Sequence, residues 1–350
     1  MTRIKQSKPD WRAVAAAFAA RISPTALHPA AMLKARAEYL RETRKGGRPS
    51  RWALAFSGGA DSLALLLIFW AEGPGRGGRD FVVLHFNHRL RGRAAEADET
   101  FCRRVCAALG VTLVAGRWRR PRKGASEAAA RTARFEFFRR EMSRRKIRLL
   151  WLAHQQDDIA ESMLMRLARG SGAGGLAAPR PVQMMADGRI HLRPLLTLKK
   201  AALVSALRRA GAEWREDSSN QTGDYFRNRV RRRVIPAWIK AAGRDALAGA
   251  ALSRELLAED EQALEAWLDL LAPLDRAGRL DLRILAGRPR AVTRRALHRW
   301  LLAGRAPTDL SRQGFAVLLA AVERGEPTRF SLGRAGFAVI RQGKLAFQRG

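Results

Sequence analysis

One stretch decides the fold: Trp52-Ala53-Leu54-Ala55-Phe56-Ser57-Gly58-Gly59-Ala60-Asp61-Ser62. Its apolar run predicts a buried strand that stops at Ser57, and the apolar residues 63–70 that follow predict a helix. A helix start directs unpaired N–H groups and the positive end of the helix dipole at one spot. Because Gly58 and Gly59 lack a Cβ, an anion can approach the backbone closely. The stretch therefore predicts a phosphate site.

This loop differs from the common nucleoside triphosphate loop, because no Gly-Lys-Ser or Gly-Lys-Thr occurs in the chain. A plain glycine-rich turn between a strand and a helix is the alternative interpretation. Two other stretches, 73–78 and 170–175, fit G-x-G-x-x-G, but each follows a predicted helix and not a strand. We expect a loop at 73–78, and either a flexible loop or a substrate-facing loop at 170–175.

Short apolar runs alternate with helical patterns in the first half of the chain. The runs are Trp52–Phe56, Phe81–Phe86, Val111–Ala115 and Leu149–Ala153. The helical patterns between them are Leu63–Ala71, Glu96–Leu109 and Ser126–Arg145. This alternation predicts an α/β fold with a doubly wound, mainly parallel sheet. Ligands of such sheets bind at the carboxyl ends of the strands.

The second predicted strand ends in polar residues. His85 and Asn87 alternate to one side of its end, and His88 begins the next loop. We expect these three side chains to bind or position a nucleotide, although a structural histidine would look the same. The acidic residues Glu96, Asp98 and Glu99 downstream are expected in the first turn of a helix, mostly solvated.

The fourth predicted strand leads into a helix with a polar face. His154, Asp158 and Glu161 are spaced i, i+4 and i+7, so an imidazole and two carboxylates share this face. Carboxylates there suit Mg²⁺ carried by ATP, or a base for an attacking amine. A hydrated helix face would show the same pattern, but the position at a strand end favours function.

A helical face also carries Glu127, Arg131 and Arg134 at i, i+4 and i+7. A surface salt bridge and an arginine aimed at a phosphate are both consistent with this spacing. The chain as a whole has 66 Lys and Arg against 32 Asp and Glu, a net charge of +34. This excess predicts a polyanionic partner, unless it reflects a genome biased toward arginine.

The chain has two cysteines, Cys102 and Cys106, too few for a zinc site or an iron–sulfur cluster. They indicate small helix residues in a reducing compartment, and we expect a cytoplasmic protein. We expect no membrane partner, since no apolar run approaches transmembrane length.

Three parts are expected along the chain. Residues 1–50 predict a basic, poorly ordered extension with some helix near 32–43, and a transit peptide or a mis-assigned start codon is the alternative. Residues 51–236 hold the predicted sheet. Residues 237–350 predict a helical domain that ends in short strands. Its predicted helices and strands are Leu247–Leu271, Ala291–Leu302, Ser311–Val322, Thr328–Leu332, Phe337–Arg341 and Lys344–Arg349. Arg294, Arg295, His298 and Arg299 form a basic face that either meets RNA phosphate or is simply solvated.

Ser57–Ser62 resembles the PP-loop of the ATP pyrophosphatases, which cleave ATP between its α and β phosphates and adenylate a substrate. The motifs that follow in order resemble the tRNA(Ile)-lysidine synthases within that group. They are His85–Arg91, Glu127–Phe135, His154–Ser162, Arg169–Leu176, Arg193–Leu196 and Asp217–Arg231. The last is the most specific, with Asp217-x-x-Asn220 followed by Arg227-Asn228-x-x-Arg231. Arg89 stands where a glycine is usual in this group, which predicts a stiffer loop after His88.

The resemblance implies a ligase with a Rossmann-like PP-loop ATPase domain. Such an enzyme adenylates the carbon-2 oxygen of the wobble cytidine in the CAU anticodon of tRNA(Ile), and the ε-amine of free L-lysine then displaces AMP to form lysidine. It implies that ATP is held by Ser57, Gly58, Gly59, Ala60, Asp61 and Ser62 with His85, Asn87 and His88. It also implies catalytic roles for Asp61, Arg131, His154, Asp158 and Arg227, with Mg²⁺ at Asp61 and Asp158.

The resemblance also allows a homodimer. Longer family members carry one further C-terminal domain, and we expect this chain to end before it. Two alternatives stay open: another PP-loop enzyme that modifies tRNA, or a non-catalytic basic RNA-binding protein. The second predicts eroded motif residues, whereas Ser57, Asp61, His154 and Asp158 are all intact.

Overall fold

The computed structural model describes residues 9–22, 24–43, 52–72, 81–119, 125–216, 226–303 and 310–349. The glycine-rich stretch 73–78 and residues 217–225 of the last motif lie outside these ranges. The chain divides into two compact units, Met1–Glu255 and Leu256–Gly350. The division into three parts after residues 50 and 236 stays a prediction. No helix in the described ranges is both long enough and apolar enough to cross a membrane.

The first unit begins with two helices, α1 (Trp11–Ala19) and α2 (Pro29–Thr43). Strands and helices then alternate as β1 (Trp52–Ala55), α3 (Ala60–Glu72), β2 (Phe81–Asn87), α4 (Arg93–Leu109), β3 (Leu113–Arg117), α5 (Glu127–Arg144), β4 (Leu149–Trp151) and α6 (Gln156–Leu167). The following elements are α7 (Ala173–Leu176), β5 (Val182–Met184), β6 (Ile190–Leu192), α8 (Lys200–Arg209), α9 (Phe226–Arg229), a π-helical turn (Val230–Val234) and α10 (Ile235–Ala242). The predicted alternation of strands and helices is confirmed, with element ends shifted by a few residues.

The strands form one sheet in the order β3-β2-β1-β4-β6-β5. All neighbours run parallel except β5, which pairs antiparallel with β6. The central strand β1 pairs with β2 on one side, where Trp52 lies opposite Phe81, and with β4 on the other, where Leu54 lies opposite Trp151. The chain moves outward in opposite directions from β1 and β4, so their carboxyl ends form the switch-point crevice of this sheet.

Both faces of the sheet are covered, as a doubly wound fold requires. Alternate residues of one strand enter different cores: Trp52 and Leu54 pack with α1, α3 and α8, while Ala53 packs with α5. The first core is the larger one and includes the apolar side of α3. The strands are therefore apolar without alternation, which is why the sequence shows short continuous runs.

Helix α1 corrects the expectation of a poorly ordered N-terminal arm. Asp10 caps the helix by accepting hydrogen bonds from the backbone of Arg12 and Ala13. Trp11 and Phe18 are buried in the first core, and the Trp11 ring meets the Phe101 ring edge-on at 5.9 Å between centroids. The expectation rested on the basic composition of this segment. It overlooked an apolar stripe at i, i+3, i+4 and i+7, formed by Trp11, Val14, Ala15 and Phe18.

Helix α11 (Ala246–Leu271) contains the boundary between the two units. The second unit then has β7 (Leu280–Asp281), α12 (Leu282–Leu285), α13 (Arg290–Ala303), α14 (Arg312–Arg324), β8 (Thr328–Ser331), β9 (Phe337–Arg341) and β10 (Lys344–Gln348). Its antiparallel sheet has the order β7-β10-β9-β8. Apolar side chains of these helices and strands share one core. The predicted helical region with terminal strands is confirmed.

Candidate active site

The loop between β1 and α3 is held closed by its two serines. The Ser57 N–H donates to Ser62 Oγ at 3.2 Å, and the two hydroxyl oxygens lie 3.0 Å apart. The Ser62 hydroxyl also donates to the carbonyl oxygen of Gly59 at 3.0 Å. These bonds fix the loop at the first turn of α3, where helix geometry leaves backbone N–H groups without intrahelical partners. The loop is therefore held in one conformation beyond the carboxyl end of β1, and anion binding there stays a prediction.

Gly58 is required by conformation and by space. Its φ angle is +92°, and a Cβ there would lie 3.2 Å from the sulfur of Cys102. Burial raises the pKa of both Cys102 and Cys106, the latter to about 12, so both are protonated thiols at neutral pH. Cys102 supports the loop by packing, which agrees with the prediction that the cysteines are small helix residues.

Asp61 lies in the first turn of α3, and its charge is poorly compensated. Burial raises its pKa to about 6, against the opposing attraction of Lys200, whose Nζ lies 3.8 Å from Asp61 Oδ2. The other oxygen, Oδ1, is buried and has no hydrogen-bond partner among the described residues. A carboxylate oxygen in this position fits a bound cation, and Mg²⁺ that enters with ATP needs only one or two such ligands.

At the end of β2, His85 and Asn87 point into the protein. His85 Nδ1 lies 2.9 Å from the carbonyl oxygen of Phe56, and burial lowers the pKa of the imidazole. The Asn87 amide nitrogen donates to the Ala95 carbonyl and to Glu99, both at 3.1 Å. These hydrogen bonds connect β2 to Phe56, which follows β1, and to α4. Nucleotide binding by His85 and Asn87 stays a prediction, and the contacts that the structure shows stabilise this edge of the sheet.

The loop after β2 begins with His88, whose ring lies edge-on to Phe86 at 4.9 Å and to Trp118 at 6.2 Å. Arg89 follows with φ +56°, and its N–H donates to Asn87 Oδ1 at 2.9 Å. This left-handed conformation favours glycine. It explains why a glycine is usual here in the family that the chain resembles.

The acids at the start of α4 are not solvated, which corrects the sequence prediction for two of them. Asp98 and Glu99 are 7% and 2% exposed. Asp98 receives hydrogen bonds from Arg91 and Arg215 at 2.8 and 2.9 Å. Burial disfavours the charge on Glu99, but hydrogen bonds from arginines 117 and 103 outweigh it and lower the pKa to about 2. Such pairing is invisible in the sequence, because Arg215 is more than a hundred residues away from Asp98.

Helix α6 starts at the carboxyl end of β4 with a capping box. The Gln155 side chain accepts from the Asp157 N–H at 2.6 Å, and Asp158 Oδ2 accepts from the Gln155 N–H at 3.0 Å. Asp157 instead accepts the N–H of Lys200 at 2.9 Å and so pins the start of α8 to α6. The two adjacent aspartates therefore accept hydrogen bonds from different segments, and Asp158 also faces Arg227 and Arg231.

Two arginines cross from α9 and the π-helical turn to the polar face of α6. Arg227 donates to Asp158 Oδ1 at 2.5 Å and to Glu161 Oε2 at 2.7 Å. Arg231 donates to both oxygens of Glu161 at 2.5 and 2.9 Å. Glu161 is 1% exposed, so this carboxylate is buried, whereas its two arginine partners are half-buried. The structure thus joins the predicted residues Asp158, Glu161 and Arg227 in one network.

His154 lies beside this network and faces arginines on another side. Arg193 Nε donates to His154 Nδ1 at 3.2 Å, which leaves the ring proton on Nε2. Burial, together with arginines 193, 227, 131 and 134, places the pKa of His154 well below its usual range. The imidazole is therefore neutral at pH 7. It is a hydrogen-bond donor through Nε2, whereas the sequence suggested a possible base.

Three arginines of the site form no direct ion pair with an acid among the described residues. We call them the α5–β6 arginine group: Arg131, Arg134 and Arg193. Burial and the neighbouring arginines lower the pKa of Arg134 and of Arg193 to about 10. Arg134 Nε is buried with no hydrogen-bond partner among the described residues, and the Arg131 guanidinium stacks on Phe135 at 4.8 Å. Concentrated positive charge of this kind fits an anionic ligand.

Two further sequence features have structural contacts. Stretch 170–175 overlaps the start of α7, and Arg166 of α6 donates to the carbonyl oxygen of Gly175. Whether this stretch faces a substrate stays a prediction. In the second unit, Arg295 pairs with Glu261 and Glu265, and Arg299 pairs with Glu265 and Asp269. These α13 arginines are neutralised by α11, so the predicted basic face is reduced to Arg294 and His298, which are exposed.

Lys200 and Arg193 are the functional candidates to which sequence reasoning assigned no role. Both lie in or just after the motif Arg193–Leu196, which was noted only for its resemblance. The start of α8 directly after a proline-containing turn was the available signal for Lys200. Nothing in the spacing connects it to Asp61, which is far away in sequence.

Residues 32–238 match the PP-loop domain family. The chain belongs to this family. Family membership implies that the protein uses ATP. In the part of the chain that the structure describes, no group of three or more His, Cys, Asp or Glu could hold a metal ion by itself.

Several curated relatives carry one name. The tRNA(Ile)-lysidine synthase of Geobacter sulfurreducens is 36% identical over 222 residues, which are 61% of this chain and 45% of that protein. That of Bacillus subtilis is 37% identical over 219 residues, which are 60% and 44% of the two chains. That of Xanthomonas campestris is 35% identical over 291 residues, which are 80% and 64%. The chain thus spans less than two thirds of the length of each of these three relatives.

Proposed function

We propose that this protein is an ATP-dependent tRNA(Ile)-lysidine synthase. It joins free L-lysine to the wobble cytidine of a CAU anticodon and releases AMP and pyrophosphate. The observation that carries the proposal is the meeting of the PP-loop after β1 with the His154–Glu161 face after β4 at one switch point of the sheet. The names of the relatives support the choice of substrate.

In the first step, the carbon-2 oxygen of cytosine attacks the α phosphorus of ATP. An oxygen–phosphorus bond forms, the bond to the bridging oxygen breaks, and the electron pair leaves with pyrophosphate. The N–H groups at the start of α3 hold the phosphates, and Asp61 Oδ1 would hold the Mg²⁺ that enters with ATP, which would supply positive charge against the leaving group. His154 Nε2–H is placed as a neutral donor for the same site.

In the second step, the lysine ε-amine attacks carbon 2 of the cytosine, and AMP leaves. The amine must be neutral to attack, so a nearby group has to take its proton. Asp158 is the proposed acceptor, although Arg227 holds its Oδ1 at 2.5 Å in the structure. Arg227 can exchange this carboxylate for a phosphate, since both are bidentate acceptors of similar shape. Binding of ATP or tRNA would then release Asp158 for its role.

The proposed partner is tRNA(Ile), held by the α5–β6 arginine group and by the basic surface of a chain with net charge +34. We place the reaction in the cytoplasm, where the two buried thiols stay reduced. A homodimer stays a prediction.

The direct test mixes the purified chain with ATP, MgCl₂, labelled lysine and a CAU-anticodon tRNA(Ile) transcript. Label in the RNA supports the proposal, and a transcript with a CAG anticodon should stay unlabelled. A PP-loop enzyme of another kind would consume ATP in the presence of tRNA without incorporating lysine. That outcome would reject the lysidine assignment and keep the family assignment.

A further inference from the structure

The Lys200 side chain, at the start of α8, lies next to the PP-loop residue Asp61. Its Nζ lies 3.8 Å from Asp61 Oδ2. This separation is too long for a normal hydrogen bond, so the contact leaves the ammonium donors available for a second acceptor. The side chain of Lys200 is 40% exposed, and a ligand in the loop can reach it.

The backbone under Lys200 is fixed from two sides. Its N–H donates to Asp157 Oδ2 at 2.9 Å, and the N–H of Gln156 donates to the Leu198 carbonyl at 2.9 Å. Helices α6 and α8 therefore start as one rigid corner next to α3. A lysine on a rigid corner loses less conformational freedom when it binds than one on a loop does.

The neighbouring Lys199 has a different environment. Its ammonium pairs directly with Asp245, at the start of α11. The two lysines are exposed to a similar degree, 44% and 40%, but only Lys200 is directed at the PP-loop carboxylate. Lys199 therefore forms a close ion pair with Asp245, whereas Lys200 is compensated only weakly by Asp61.

The space next to Lys200 is open. Lys200 and Asp157 border a cleft of about 520 Å³, and the lining of this cleft includes Arg208 and Arg209. These arginines add positive charge to the cleft that Lys200 borders. Asp157 is already engaged with the backbone of Lys200.

We propose that Lys200 is a catalytic residue that contacts the β and γ phosphates of ATP and stabilises pyrophosphate as it leaves. The inference rests on the proposed adenylation at Ser57–Ser62. When the bond between the α phosphorus and the bridging oxygen breaks, the electron pair moves onto pyrophosphate. A fixed ammonium beside Asp61 offsets this charge without a proton transfer. AMP lacks the two terminal phosphates, so it makes no contact with Lys200.

The test compares nucleotide binding by the full chain with Lys200→Met, which keeps the apolar stem, and with Lys199→Met as the matched control. Calorimetry with ATP and with AMP, both in MgCl₂, reads the two affinities. Lys200→Met should weaken ATP binding about tenfold to a hundredfold and leave AMP binding unchanged. Lys200→Arg should recover part of the loss, and Lys199→Met should behave as the parent chain.

The assignment is overturned if Lys200→Met weakens ATP and AMP equally, if it weakens neither, or if Lys199→Met has the same effect. Circular dichroism checks that the variants are folded, and unchanged AMP affinity reports an intact loop. If the proposed function is wrong but the role of Lys200 is right, the result is different. The parent chain then binds ATP in a Lys200-dependent way and transfers no lysine to tRNA.

Discussion

Arg193 donates a hydrogen bond from Nε to Nδ1 of His154, with 3.2 Å between the two nitrogens. Arg193 is itself fixed, because its guanidinium also donates to the Arg180 carbonyl and to Gln183, both at 2.8 Å. A fixed cation on Nδ1 keeps the imidazole neutral and its proton on Nε2. This arrangement supports the proposed role of His154 as a hydrogen-bond donor in the site.

Substitution of His154 tests this role. A glutamine places an amide nitrogen close to the position of Nε2, whereas an asparagine reaches only the position of Nδ1. His154→Gln should therefore retain more lysine incorporation than His154→Asn or His154→Ala, which should each lose about 10²-fold or more. Rates are measured at saturating ATP and tRNA. Equal loss in all three variants would contradict a donor role and favour a base.

Glu161 is expected to contribute mainly through stability. It is the buried acceptor for both Arg227 and Arg231, and its removal leaves two poorly compensated cations. Glu161→Gln keeps the volume and should lower the free energy of unfolding by about 3 kcal/mol. The exposed Glu127→Gln, in which the charge is lost at the surface, should change it by less than about 0.5 kcal/mol. Urea titration of both variants measures the difference, and equal midpoints would refute the network.

The α5–β6 arginine group should carry part of the salt dependence of tRNA binding. Arg131 is exposed and stacks on Phe135, so Arg131→Ala removes charge with little effect on packing. The slope of log affinity against log salt should decrease by about 1. Arg299→Ala is the control, because Glu265 and Asp269 already neutralise this arginine. A change of slope for Arg299 and none for Arg131 would reverse the assignment of the RNA surface.

His191 predicts how stability responds to acid. This residue of β6 is 6% exposed, and burial together with arginines 193, 189 and 131 lowers its pKa to about 4. In the unfolded chain it titrates near its ordinary value of about 6.5. Its contribution is therefore fully present above pH 6.5 and is lost as the pH falls toward 4, by roughly 3 kcal/mol in total.

The variant His191→Gln should lack this part of the pH dependence, so its stability should fall less between pH 7 and pH 4. Denaturant titrations at several pH values give the slope. The exposed His298→Gln is the matched control for replacing a histidine by glutamine. Identical slopes for His191→Gln and the parent chain would show that this histidine does not titrate differently in the two states.

The fold could be read from the sequence because its signals are local. The run from Trp52 to Phe56, the two glycines and the apolar helix each specify their own conformation. Parallel order then places Ser57–Ser62 and His154–Ser162 at one edge of the sheet. Helix α1 was missed because a basic composition hides the apolar stripe that starts at Trp11.

The hydrogen bonds and ion pairs within the site could not be predicted from the sequence in the same way. The partners of His154, Glu161 and Asp61 come from residues 39, 66 and 139 positions further along the chain. The same residue types would look solvated on isolated helices, as Asp98 and Glu99 did. Only the packing of α8 and α9 against α6 decides which carboxylate pairs with an arginine and which stays available.

The central claim is tested most directly by the nucleoside at the wobble position after incubation of the parent chain with ATP, MgCl₂, lysine and CAU-anticodon tRNA(Ile). Digestion of the RNA and mass spectrometry should reveal cytidine joined to lysine with loss of water. Asp61→Asn should yield none of it, since the variant lacks the carboxylate charge proposed to hold Mg²⁺. Unmodified cytidine from the parent chain, or equal product from parent and Asp61→Asn, would contradict the account.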